Sequence, residues 1–291
     1  MSAISLGDAT PELLAGQTRL WRRVLGHRGG LVGVVLVAVL FAVAAIGPLL
    51  TADPNVPDYK NKLRPPSAAH LLGTDLAGRD LLARSVAGAR ASLGAALIVM
   101  LIVTVAGLLV GVLAGSAGGV IDTVLIRLMD VVLGLPGLVL TLALVGALGP
   151  SFFNLVLAMS ATGWAGLAKI ARAHTRGAGR RPDVVAARMA GAGPVRIAFG
   201  HVLPGAVSLV LVASALRLGE TVIALAGLSF LGLGAQPPTA EWGNMLADSR
   251  QTLAVAPFQL IGPGVGLMLT VLASILVADA LRDVNEPESR L

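Results

Sequence analysis

The sequence has 291 residues, of which 55% are hydrophobic and only 13% charged, with a formal net charge of +6; soluble domains carry roughly 25% charged residues. With a mean hydropathy of +0.83, this excludes an ordinary soluble enzyme, a disordered chain and a nucleic-acid binder built on a broad basic face. The absence of Cys excludes disulfides, thiolate metal sites and Cys nucleophiles together. Aromatics make up only 3%, so the hydrophobicity rests on Leu, Val, Ala, Ile and Gly, the composition of membrane helices that pack through small residues.

In chain order, the first feature is a run of Leu13, Leu14, Gln17, Leu20, Trp21, Val24 and Leu25 at helical spacing, with Arg19, Arg22, Arg23 and Arg28 between or beside them. The pattern predicts a short amphipathic helix lying in the membrane interface with Trp21 at headgroup depth; a frayed basic tail is the alternative. A crossing helix needs about 20 predominantly apolar residues. Uncharged runs occur at 29–52, 91–121, 131–168, 197–216, 221–240 and 251–278. The run 131–168 is too long for one span and is divided by the turn signal Gly146-Ala147-Leu148-Gly149-Pro150-Ser151. A span over 205–228 contains Arg217 and Glu220, and the Gly- and Pro-rich remainder up to 240 reads as a loop. The prediction is an all-α integral membrane protein with six spans at 31–50, 93–114, 124–146, 152–171, 206–226 and 259–278. The first apolar run is longer than a signal-peptide core and follows a polar leader of nearly 20 residues, so it reads as an uncleaved helix.

Positive charge orients such a chain. Arg19, Arg22, Arg23 and Arg28 precede the first span, which places the N-terminus, and with six spans the C-terminus, in the cytoplasm. The segment between the fourth and fifth spans is then cytoplasmic too. It holds Lys169, Arg172, Arg176, Arg180, Arg181, Arg188 and Arg196 against the single acid Asp183. The loop 51–90 dissents with Lys60, Lys62, Arg64, Arg79, Arg84 and Arg90, partly offset by Asp53, Asp58, Asp75 and Asp80.

The cytoplasmic segment is too polar to span and too rich in Ala and Arg for a casual loop. Pro182 and Asp183 make a helix start, Gly191 a stop, and Pro194 the first turn of a second helix. Two short helices with a glycine turn, moving as one body, suit the transmission of force to a partner.

Here the sequence resembles the permeases of ABC importers. Their cytoplasmic "EAA loop" reads Glu-Ala-Ala, three residues, Gly, nine residues, a variable residue, one residue, Leu-Pro; Ala186, Ala187, Gly191, Leu203 and Pro204 fall in register, and His201 sits where dipeptide, oligopeptide and nickel permeases commonly carry His. Val185 replaces the motif's Glu, which leaves hydrophobic docking rather than a salt bridge. The stretches His70–Asp80 with Gly88–Leu93, and Leu228–Pro238 with Glu241–Met245, are similar to the external segments of the C-type permease, and Asp122, Arg127, Asp130 and Pro136 match its third span. The resemblance runs from about residue 15 to 285.

The resemblance implies the type I ABC importer permease fold with an N-terminal elbow helix, in the bacterial inner membrane. It implies a tail and elbow at 1–30, a first span and external loop at 31–90, a core at 91–285 with a coupling loop at 172–205, and a tail at 286–291. The ATPase-coupling residues it implies are Asp183, Val185, Ala186, Ala187, Arg188, Gly191, His201, Leu203 and Pro204. The implied partners are a paralogous second permease, two ABC ATPases that bind ATP and Mg, an extracytoplasmic substrate-binding protein and membrane lipid, with peptides as the leading cargo and nickel or another small solute as the alternative. This chain itself is expected to be no enzyme, to bind no nucleic acid and to hold no cofactor; it lacks any Gly-Lys-Ser/Thr for a phosphate-binding loop.

Other residues admit plainer readings. His201 shapes a turn or relays protons; His70 and His174 read as structural or solvated. The Gly-Thr-Asp and Gly-Arg-Asp pieces read as a packed turn with Asp and Arg capping or pairing. Arg217 and Glu220, three apart within a span, either pair locally or line the pathway. Arg127 and Asp130 repeat that spacing and are expected to pair. Gly107, Gly111 and Gly115 permit close helix approach, within the subunit or against a second permease. An autonomous transporter or channel would need more charge inside the spans, and an intramembrane enzyme a convergent catalytic cluster.

Overall fold

The computed structural model describes residues 26–285, and among them every regular element is a helix. In chain order these are α1 (Arg28–Leu50), α2 (Leu81–Ala117), α3 (Gly119–Gly134), α4 (Gly137–Leu148), α5 (Phe152–Ala178), α6 (Pro182–Met189), α7 (Pro194–Ile197), α8 (Leu203–Ala215), α9 (Leu218–Phe230), α10 (Trp242–Ser249) and α11 (Ile261–Asn285). The predicted amphipathic helix at 13–25 and the tail 286–291 lie outside the described residues.

The helix α2 is the spine. At 37 residues it is about 55 Å long, well beyond the ~30 Å hydrocarbon layer. It starts at Leu81 rather than at the predicted 93, because Asp80 caps it by accepting from Ala83 N at 2.8 Å. The last ten residues of the predicted loop 51–90 are therefore helix. Against this spine packs α5, through the three glycines. A Cβ on Gly107 would stand 2.7 Å from Leu167 Cβ, one on Gly111 would meet the backbone of Ala168, and one on Gly115 would stand 2.6 Å from Thr175 Cβ. The small-residue series thus serves packing within the subunit.

The predicted third span, 124–146, is not one helix. It is α3 and α4, bent by 89° at Leu135-Pro136. Pro136 has no N–H to continue the ladder and drives the preceding residue out of the α region; Leu135 is accordingly extended, with φ −106° and ψ 144°. The predicted fifth span, 206–226, is also interrupted: α8 ends at Ala215 and α9 restarts at Leu218, with a tightened turn in which Arg217 N donates to Ser214 O at 3.0 Å. By length and composition four helical stretches suffice to cross a membrane, Arg28–Leu50, Leu81–Ala117, Val195–Ala215 and Pro257–Leu281, and the bent pair makes a fifth. Although α5 is long enough at 27 residues, it is diluted by Asn154, Ser160, Thr162 and Lys169.

The two largest cores hold the bundle. One joins α2, α4, α5, α8 and α9 through Val99, Val103, Val145, Leu155, Leu167, Val210 and Leu225. The other joins α1, α2, α9, α10 and α11 through Leu40, Leu93, Val222, Trp242 and Met245. The outward faces remain apolar: Val32, Val35, Val39 and Val43 on α1 and Leu97, Leu101, Val105 and Leu109 on α2 are exposed. Water would oppose such a surface and hydrocarbon does not.

Candidate functional site

At one end of the bundle, α6 and α7 form the helix pair that the sequence predicted. Pro182 opens α6, and Gly191 turns the chain with φ +83°, a conformation open to glycine and strained for L side chains. The pair has its own small core of Ala178, Val184, Ile197 and Val202. Val184 is fully buried; the motif reading passed over it, yet it anchors α6. Its neighbours face outward: Val185, Ala186 and Arg188 are exposed, Met189 is 84% exposed and Phe199 64%. Asp183 accepts two hydrogen bonds from the Arg181 guanidinium, at 3.0 and 2.9 Å, and its Oδ2 lies 3.6 Å from His201 Nδ1. Partial desolvation works against its ionisation, but the Arg181 hydrogen bond and charge outweigh it and hold the carboxyl below the usual range.

His201 belongs to a π-helical turn, Ala198–Val202, between α7 and α8. Leu203 N reaches back to Ala198 O, one residue farther than in an α-helix. Pro204 explains the widening. It removes one donor and its ring crowds the carbonyl four residues back, and the wider turn absorbs both effects without breaking the rod. The stretch 195–215 therefore runs as one helical body, and α6–α7 is joined without a hinge loop to the helix that leads into the bundle.

Inside the bundle, the hydroxyls of Thr141 and Thr162 lie 2.9 Å apart. They border a cavity of about 310 Å³ that Ser214, Arg217, Glu220 and Thr221 also line. Arg217 and Glu220 are both exposed, and no ion pair joins them among the described residues. The Arg217 guanidinium lies across α5 instead: a Cβ on Gly166 would stand 3.0 Å from its Nη2. The local ion pair is thus not formed, and both residues border this cavity.

Several of the other charges fasten the fold. Asp130 pairs with Lys169 at 2.7 Å, not with the expected Arg127. Asp122, buried at the start of α3, takes Arg172 in a two-pronged contact and Arg176 at 2.8 Å. Four of the seven basic residues counted as a docking and orientation surface are thus engaged with acids, Lys169, Arg172, Arg176 and Arg181. At the opposite end of α2, the motifs that the sequence singled out separately meet in one cap. His70 Nδ1 lies 2.8 Å from Asp80 Oδ2, so His70 is structural. Arg84, 2% exposed, bonds to the carbonyls of Pro54 and Pro238 at 3.1 and 3.2 Å and lies 3.3 Å from Asp75. Glu241, fully buried, caps α10 by accepting from Gly243 N and Asn244 N, each at 2.9 Å, and accepts from Ser92 Oγ at 2.8 Å. No pattern in the linear sequence paired Arg84 with Pro238 or Ser92 with Glu241, since each partner lies about 150 residues away.

Residues 107–291 match the family described as the binding-protein-dependent transport system inner membrane component. The chain belongs to that family. Residues 18–66 of the permease also match the N-terminal transmembrane domain of oligopeptide transport permease C. The permease is 37% identical over 255 residues to the nickel transport system permease protein of Escherichia coli (strain K12), covering 87% of this chain and 92% of that protein. It is 37% identical over 270 residues to the glutathione transport system permease protein of Pectobacterium atrosepticum, covering 92% and 90%. It is 34% identical over 289 residues to the dipeptide transport system permease protein of Haemophilus influenzae, covering 96% and 98%. It is accordingly a multi-pass inner-membrane permease component of an ABC importer.

Proposed function

We propose that this permease forms half of the translocation pathway of an ATP-driven importer for peptides, and that α6–α7 couples it to the ATPases. The observation that carries the reading is the continuity of 195–215 through the π turn: displacement of the exposed pair by a partner must move the helix that borders the cavity. Exposed Val185, Met189, Val195 and Phe199 offer the apolar contact that remains without the motif's Glu, rimmed by Arg188 and Arg196. In this reading α6–α7 lies in the cytoplasm with both termini, and a second permease closes the open side of the cavity. A binding protein delivers solute at the end capped by α10. Two partner ATPases bind ATP and Mg; their closure shifts α6–α7 and α8 and turns the pathway outward, and hydrolysis restores the inward-facing state. The peptide reading rests on the dipeptide-transport and oligopeptide-permease matches, and the nickel-transport relative supports a second cargo, a nickel complex.

The test is purification of the tagged permease with the proteins that accompany it, followed by reconstitution in proteoliposomes. Two ATPase subunits should co-purify, and uptake of a dipeptide should require ATP. Deletion of residues 182–196 should abolish that uptake while the chain still inserts. Isolation without an ATPase, or ATP-dependent uptake that survives the deletion, overturns the reading.

A further inference from the structure

We infer that Arg217 and Glu220 form a two-point station within the membrane for a solute that bears both a carboxylate and an ammonium group, so that this subunit itself selects among delivered solutes. The inference rests on the proposed importer reading and adds a second selection step to it. Both side chains lie on one face of the fifth span's broken helix, one turn apart and of opposite sign, and both border the 310 Å³ cavity. Both also border the neighbouring groove against α11, where Asp279 stands. Neither bonds to the other, and among the described residues no oppositely charged side chain lies within 4.0 Å of either. By contrast, the acids on α3 are paired with bases on α5: Asp122 with Arg172 and Arg176, Asp130 with Lys169. Ionised groups at this depth are expensive unless they face water or a ligand.

The geometry prepares them. The Arg217 guanidinium rests against α5 where Gly166 leaves room for it, which orders its planar fork before anything binds and presents it for two-pronged contact with a carboxylate. Glu220, on the first turn of α9, offers the acceptor for an ammonium. Thr162, Ser214 and Thr221 supply hydroxyls, and Val99, Met100 and Leu138 supply apolar wall on the same cavity, the mixture that a small zwitterion with an apolar side chain requires.

The chain has no Cys, so a single Thr104→Cys substitution, on the same cavity but outside the station, gives one labelling site. The experiment uses the permease assembled with its partner subunits in lipid nanodiscs, a water-soluble maleimide, and alanyl-alanine or its uncharged analogue N-acetyl-alanyl-alanine amide as protecting probes. Alanyl-alanine should slow labelling and the uncharged analogue should not. Adding Arg217→Gln should weaken protection by about tenfold in probe concentration, as expected for loss of one charge-assisted contact. Equal protection by both probes overturns the inference. So does absence of labelling, which is the outcome if charges on a second permease already occupy the pair. ATPase co-purification and ATP-dependent uptake by the unsubstituted complex report on the importer reading separately; an assembled, transporting complex without selective protection defeats the station alone.

Discussion

Asp183 and Asp248 sit at opposite ends of the bundle and are held in opposite ways. Arg181 keeps Asp183 ionised, whereas partial desolvation raises the carboxyl of Asp248, a residue that still reaches solvent, above its ordinary value, only partly offset by Arg84 and Arg79. For Asp248 the folded pKa lies above the unfolded one. Its penalty is therefore absent at pH below the unfolded value, sets in as pH rises past it, and is complete above the folded value. Asp248→Asn should raise the thermal midpoint of the detergent-solubilised protein at neutral pH and leave it unchanged below the unfolded value of about 3.9; melting curves at the two pH values check this. At this scale the sequence was legible where a side chain serves its own neighbourhood. Asp80 as a cap and Asp75 paired to Arg79 follow from local spacing. The partners of Asp122 and Asp130 lie on α5, and spacing along one helix pointed Asp130 wrongly to Arg127.

Among the elements, the α6–α7 pair and the π turn carry the sharpest expectations. Gly191→Pro demands φ near −65° where the chain has +83°, so the pair should lose its fixed angle. ATP hydrolysis should continue while uptake falls, with membrane insertion normal; the ratio of solute transported to ATP hydrolysed reads this out. Pro204→Ala restores the donor that the π turn accommodates. If the turn relaxes to an α-helix, one residue of register is lost and α6–α7 swings by about 100° around the helix axis. Uptake should drop several-fold with subunit assembly intact, measured by uptake rate beside co-purification. The glycine turn and both prolines were visible in the sequence, because Gly and Pro act through their own backbone. The π turn was not, since widening and breaking are both local answers to Pro204 and only the neighbours of Val202 and Ile197 select between them.

For the whole molecule, the seam between α2 and α5 determines whether the bundle closes. Gly111→Leu places a side chain where the Ala168 backbone already stands, and overpacking of this kind costs about 1–3 kcal/mol. The variant should insert but lose its monodisperse peak on size-exclusion chromatography after mild heating, while Gly146→Leu, at a position with no atom within 4 Å of its Cβ direction, should behave as the parent. The bundle also explains why the low charge content suffices. Asp75, Asp122, Asp130 and Asp183 are engaged in pairs that fasten helix ends and seams, whereas Arg217 and Glu220 border a cavity without pairing to each other.

The sequence by itself determined that the chain is helical, where its apolar segments fall, that a glycine-turned pair projects between two of them, and which family it belongs to. These follow from composition, from the length of apolar runs and from residues whose effect is confined to their own backbone. Only the tertiary structure decided that the third span bends by 89°, that four of seven basic residues are engaged with acids, that separate motifs build one cap around Arg84 and Glu241, and that Arg217 and Glu220 face a cavity unpaired. The physical reason is common to all four. A charge or a kink is settled by what packs against it, and those groups come from helices distant in sequence that meet only when the bundle closes.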